Sequence, residues 1–168
     1  MTPEIAHNLI LILAALMMIY AAGSDAARFR IPNSVSLGLL ALFPLYALVA
    51  PVPVLWLEHL KIFAVVLIVG YILFLRNLAG AGDIKLISVI ALWAGPSAYA
   101  PFLLITALAG GVLSIGIGLA TLIHQHLSPK KKSIPLSQTP IPYGVAIAVG
   151  GLCTLTLLSH PDLLQGQL

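Results

Sequence analysis

Charge is what this sequence has least of. Only 8% of its 168 residues are Asp, Glu, Lys or Arg, against about 25% in an ordinary soluble domain. So few charges cannot clothe a water-soluble fold. With 60% apolar composition the natural solvent of the chain is lipid. Cysteine is nearly absent too. The single thiol, Cys153, excludes an intrachain disulfide and a cysteine metal cluster, and reads as a small buried apolar residue. No polar stretch is long enough to fold alone, so one domain over residues 1–168 is the expectation. No internal repeat is evident, which gives little support to an inverted-repeat transporter. The N-terminus carries Glu4 and no Lys or Arg before the first apolar run. The basic region of a cleaved signal peptide is therefore missing, and that run reads as a permanent span.

The net charge of +3 does not imply a nucleic-acid partner. Such a face needs basic residues clustered on a folded surface. Here they lie in short loops between apolar runs, the pattern that encodes membrane topology.

A hydrocarbon core about 30 Å thick needs roughly 20 apolar residues as helix. The apolar runs are Ile5 to Ala22, Ser34 to Ala50, Trp56 to Leu75, Ile84 to Ile123 and Tyr143 to Leu158. As one helix the Ile84 run would be about 60 Å long, twice the bilayer core, so it must fold back. Gly95-Pro96-Ser97 is the expected turn, with Pro101 the alternative. The chain is thus predicted to be all-α and polytopic, with about six transmembrane helices. The loops after spans one, three and five carry Arg28, Arg30, Arg76, Lys85 and Lys130 to Lys132, seven of the eight basic residues. The positive-inside rule makes their side cytoplasmic and puts both termini outside.

The five acids divide differently. Glu4, Glu58 and Asp162 fall outside, and only Asp25 and Asp83 face the cytoplasm, each at the end of a span. Ionisable groups at the membrane edge are costly and tend to be functional. Two carboxyl groups a few ångströms apart cannot both ionise easily, so such a pair shares a proton. One can then take a proton from water while the other polarises a scissile carbonyl. The bland alternative is that each caps a helix or pairs with a nearby Arg or Lys.

Three short segments surround these acids. Asp83 follows Gly80-Ala81-Gly82, where glycine permits positive φ and close approach of a second backbone; a glycine turn with Asp83 as N-cap would look the same. Asp25 opens the stretch to Ile31-Pro32-Asn33, which reads as an ordered crossover with an extended Ile31 and with Asn33 or Ser34 capping span two. Pro142-Tyr143-Gly144 opens the last span, Pro142 suiting a helix start and Tyr143 the interface.

Asp, five residues, Ile-Pro-Asn; Gly-Ala-Gly-Asp-Ile-Lys; and Pro-Tyr-Gly, in this order and across nearly the whole chain, resemble the type IV prepilin peptidases, a family of GxGD aspartyl proteases. The resemblance implies that Asp25 and Asp83 are the catalytic pair and that Gly80 and Gly82 shape the active-site loop. Pro32, Asn33, Lys85, Pro142, Tyr143 and Gly144 are the supporting or substrate-side candidates. It implies a bacterial inner-membrane peptidase with its site facing the cytoplasm, cutting prepilin or pseudopilin leaders without cofactor or metal. The chain lacks the cysteine-bearing cytoplasmic insert linked to N-methylation in larger members. It therefore resembles the short tight-adherence (Flp-type) branch, and protease activity alone is expected.

Other features carry less. Gly110, Ser114 and Gly118 form a small-residue stripe that should allow close packing with another span or a second copy of the chain. His59 beside Glu58 reads as an outer-surface pair, and His124 with His126 as an interfacial one. The rival functions are a small proton- or cation-coupled transporter and a non-enzymatic secretion-assembly subunit. A transporter would need a polar path, and the spans offer only scattered Thr and Ser. An assembly subunit would leave the two acids unexplained.

Overall fold

The computed structural model describes residues 2–127 and 140–160. Among them every regular element is a helix: α1 (Pro3–Arg28), α2 (Asn33–Val49), α3 (Trp56–Leu75), α4 (Ala81–Leu127) and α5 (Tyr143–Ser159). Three of these, α1, α3 and α4, are long and apolar enough to cross a membrane, and α2 and α5 are shorter apolar helices. The Lys130 to Lys132 triplet and Asp162, which the topology argument used, lie outside the described residues.

α1 buries His7, Leu11, Ala14, Met18, Ala21 and Asp25. The steps alternate four and three, the spacing of a helix that keeps one seam against its neighbours. α1 lays this seam on α5 and α2, while α3 packs chiefly on α4. Asp25 thus continues the seam that packs the core, at its far end from His7.

α4 is two arms. Gly95, with φ 57° and ψ −168°, leaves helical geometry in its middle. A straight helix would set Ile84 and Gly110 about 39 Å apart, yet both line one cavity. Likewise Ile90 meets Gly151 while Phe102 meets the adjacent Gly150. The chain therefore turns back at Gly95, as the excess length of the run requires, and not at Pro101. The conformation at Gly95 is one that only glycine adopts readily, and the His59 ring occupies the space a β-carbon there would need.

His59 corrects an expectation. It is buried, not an outer-surface partner of Glu58: its Nδ1 lies 2.6 Å from the Leu92 carbonyl oxygen, and Glu58 pairs with Lys61 instead. The imidazole lies on Phe43, which also meets the Trp93 ring edge-on at 5.8 Å. Trp93, fully buried, donates its indole N–H to the Leu39 carbonyl at 3.0 Å and ties α4 to α2. In lipid, packing and such hydrogen bonds hold helices together, because apolar tails offer no hydrophobic drive between them.

Gly110 packs on Tyr143 and Ala146 of α5. At that glycine the small-residue stripe meets a helix of the same chain. Ser114 donates to the Gly110 carbonyl at 2.7 Å, within its own helix.

Candidate active site

The stretch expected as a crossover from Asp25 to Asn33 is mostly helix. α1 continues to Arg28, and Phe29 closes it in the left-handed conformation with its N–H on the Asp25 carbonyl at 2.8 Å. Packing explains the difference, since Asp25 belongs to the buried seam and is only 5% exposed. The true connection is residues 29–32, secured by the Ser24 hydroxyl donating to the Arg30 carbonyl at 2.8 Å. Neither Asn33 nor Ser34 caps α2; Pro32 holds the cap position and no side chain bonds there. The Asn33 side chain instead accepts from Lys85 Nζ at 3.0 Å, which joins the start of α2 to the first turn of α4.

α5 begins after Pro142, which has no side chain to cap it. The first N–H groups of a helix have no partner of their own. One of them, on Gly144, donates to Asp25 Oδ2 at 2.7 Å. Asp25 thus caps α5 from another helix, where the positive end of the dipole favours its charge. Gly144 is required here by contact: a β-carbon would sit 2.8 Å from that oxygen and 2.7 Å from Ile31 Cδ1.

Asp83 lies in the first turn of α4, half-buried, hydrogen-bonded to the backbone N–H of Gly80. This is the reach-back of a capping box. A β-carbon on Gly80 would stand 2.8 Å from Asp83 Oδ2. On Gly82 it would touch Ile31 Cβ at 3.3 Å. Ile31 is therefore a shared wall: Gly82 rests on one part of its side chain and Gly144 on another, and the two aspartates flank it. Asp83 lies within electrostatic range of Asp25.

The fold thus gathers Asp25, Gly144, Ile31, Gly82, Gly80 and Asp83, with the Lys85–Asn33 bond alongside. Tyr143 turns the other way. Its ring lies on Gly110 and its hydroxyl is 3.4 Å from that of Ser114. Sequence reasoning missed Ile31 as a packing element; its extended conformation before Pro32 was the available sign.

A cavity of about 1160 Å³ opens beside Asp83, between α3, both arms of α4 and the start of α5. Among the described residues no three His, Cys, Asp or Glu side chains converge as a metal site. Two carboxyl groups that sense each other's charge, each held by a backbone N–H, can divide acid and base work between them.

No curated protein and no solved structure matches the chain. The sequence model described as the type IV leader peptidase family matches residues 12–115, a span that holds Asp25, Gly80, Gly82 and Asp83 and covers more than half of the chain. The protein belongs to the type IV leader peptidase family.

Proposed function

We propose that this protein is an aspartic endopeptidase that removes the cytoplasmic leader from prepilin-like precursors, with Asp25 and Asp83 as its catalytic residues. The observation that carries this is the convergence of those two acids, 58 positions apart in sequence, on the segment around Ile31, where Gly144 holds Asp25 and Gly82 precedes Asp83, in a chain of this family. The same reading makes it a six-span protein of a bacterial cytoplasmic membrane, with both termini outside and the site facing the cytoplasm. The positive-inside distribution of Arg28, Arg30, Arg76 and Lys85 supports that orientation.

The chemistry follows from the pair. The precursor stays in the membrane through its apolar helix, and the segment before that helix unwinds across the two carboxyl groups. The ionised carboxylate takes a proton from water as the oxygen attacks the peptide carbonyl. The protonated partner gives its proton to the carbonyl oxygen, forming a tetrahedral diol. Collapse breaks the C–N bond: the proton first taken from water passes to the departing amine, and one hydroxyl of the diol returns a proton to the carboxylate that had given its own, so both acids regain their starting states. Neither a metal nor a covalent enzyme intermediate is needed. A substrate anchored by its own helix arrives nearly oriented, which lowers the entropic barrier.

Asp25→Asn and Asp83→Asn test this in purified protein reconstituted with a precursor. Each should lower cleavage by about 10²–10⁴-fold, the worth of a positioned acid or base, while insertion and helicity are unchanged. A normal rate in either variant refutes the two-aspartate mechanism.

A further inference from the structure

The cavity beside Asp83 is a groove with direction. One wall is α3 from Val65 to Leu73, the other the second arm of α4 from Tyr99 to Gly111. Along that arm it is about 18 Å long, at 1.5 Å per residue. Spread over this length, its volume of about 1160 Å³ gives a cross-section of roughly 65 Å². A helix with its side chains is about 10–12 Å across, or roughly 80–110 Å² in section. The groove is long and wide enough to take part of the girth of one helix. Its lining is mostly apolar, and Gly80 and Asp83 stand at one end. The opposite end lies toward the Gly95 turn.

We infer that this groove seats the apolar helix of the substrate, entered sideways from the lipid between α3 and the second arm of α4. The inference rests on the peptidase reading and adds to it the surface that recognises the substrate. A helix lying in the groove with its N-terminal end toward Asp83 presents the residues just before it to the carboxyl groups. A second copy of this chain in the same place would cover Asp83 and block the site. Gly111 marks where the helix passes. It lines the groove, and a β-carbon added to it meets nothing within 4 Å, whereas one on neighbouring Gly110 would press on Tyr143 at 3.2 Å. The open space over Gly111 is where the incoming helix packs closely.

The test compares Gly111→Trp with Gly116→Trp, which is equally open but outside the groove. The full-length protein is reconstituted in phosphatidylethanolamine–phosphatidylglycerol vesicles with a precursor carrying a short basic leader and an apolar helix. Gly111→Trp should raise KM at least tenfold with kcat within twofold of the unaltered protein, and Gly116→Trp should leave both within twofold. A photo-crosslinking residue at position 111 should capture the apolar helix of the precursor. The inference is overturned by an unchanged KM in Gly111→Trp, by a loss confined to kcat, or by crosslinks only to lipid or to a second copy. Asp83→Asn run in parallel separates the two readings. If it abolishes cleavage and Gly111→Trp does nothing, the groove fails and the peptidase stands. If Asp83→Asn cleaves normally, both fall.

Discussion

A methyl group placed on Gly144 is the sharpest probe of the site. The residue lies outside the GxGD loop, 119 positions from the acid it touches. In Gly144→Ala the new carbon would begin 2.8 Å from Asp25 Oδ2, 3.0 Å from Asp25 Cβ and 2.7 Å from Ile31 Cδ1. Ordinary contacts of this kind lie near 3.5 Å, so the carboxyl group or α5 must retreat by about 0.7 Å. Catalytic groups need placing to about 0.5 Å, and a displacement near 1 Å can cost about 100-fold in rate. The shift also stretches a charge-assisted hydrogen bond now 2.7 Å long, a class worth about 1.5–3 kcal/mol. Gly144→Ala is therefore expected to lower kcat by about 10–100-fold while KM changes little. Precursor cleavage by the reconstituted protein measures this, with Gly116→Ala as the control, because a β-carbon there meets nothing and the residue lies outside the groove. A Gly144→Ala enzyme working at the normal rate would mean that the position of Asp25 does not govern the chemistry.

Two further predictions concern the opposite end of the bundle. Gly95→Ala must force an alanine into a glycine-only conformation and against the His59 ring, for a loss of about 3 kcal/mol or more; adding His59→Ala should relieve only the collision. Denaturant titration in mixed micelles reads both, and a stability equal to that of the unaltered protein in Gly95→Ala would discredit the fold-back geometry. Trp93→Phe removes the indole N–H from the Leu39 carbonyl and leaves a void in a fully buried position, for about 1–3 kcal/mol by the same titration. No change there would show that this bond does not hold α4 to α2.

How much of this was open to reading depends on the range of the interaction. The turn at Gly95 was legible because length forced it: a run twice the thickness of the bilayer core has to fold, and glycine before proline is where it can. The seam of α1 is written in the spacing of His7, Leu11, Ala14, Met18, Ala21 and Asp25, which sets the aspartate on the packed face. The crossover reading overlooked it by stopping the helix where the apolar run stops. Burial of His59 was not legible. A Glu-His pair at a helix start has the look of surface, and only the Leu92 carbonyl, 33 residues on, draws the imidazole inward. Asn33 followed the same rule. Local preference offered it a cap, and a lysine 52 residues away took the side chain instead.

The candidate site was legible as residue types and not as a mechanism of assembly. Asp25 and Asp83 stand on helices anchored separately, one by the α1 seam, the other where Ile84 packs on Gly70 of α3. No local motif can fix the relation between two such helices. Ile31 and Gly144 do so. The connection after α1 lays Ile31 against Gly82, and the uncapped start of α5 takes Asp25 as its cap. The Pro-Tyr-Gly segment thus has a physical reason in three parts. Proline opens the helix without capping it. Tyrosine turns away onto Gly110. Glycine offers its N–H with no side chain in front of it. An alanine in the third place would keep the donor and lose the access, which is why the weight of the site falls on an atom that is absent.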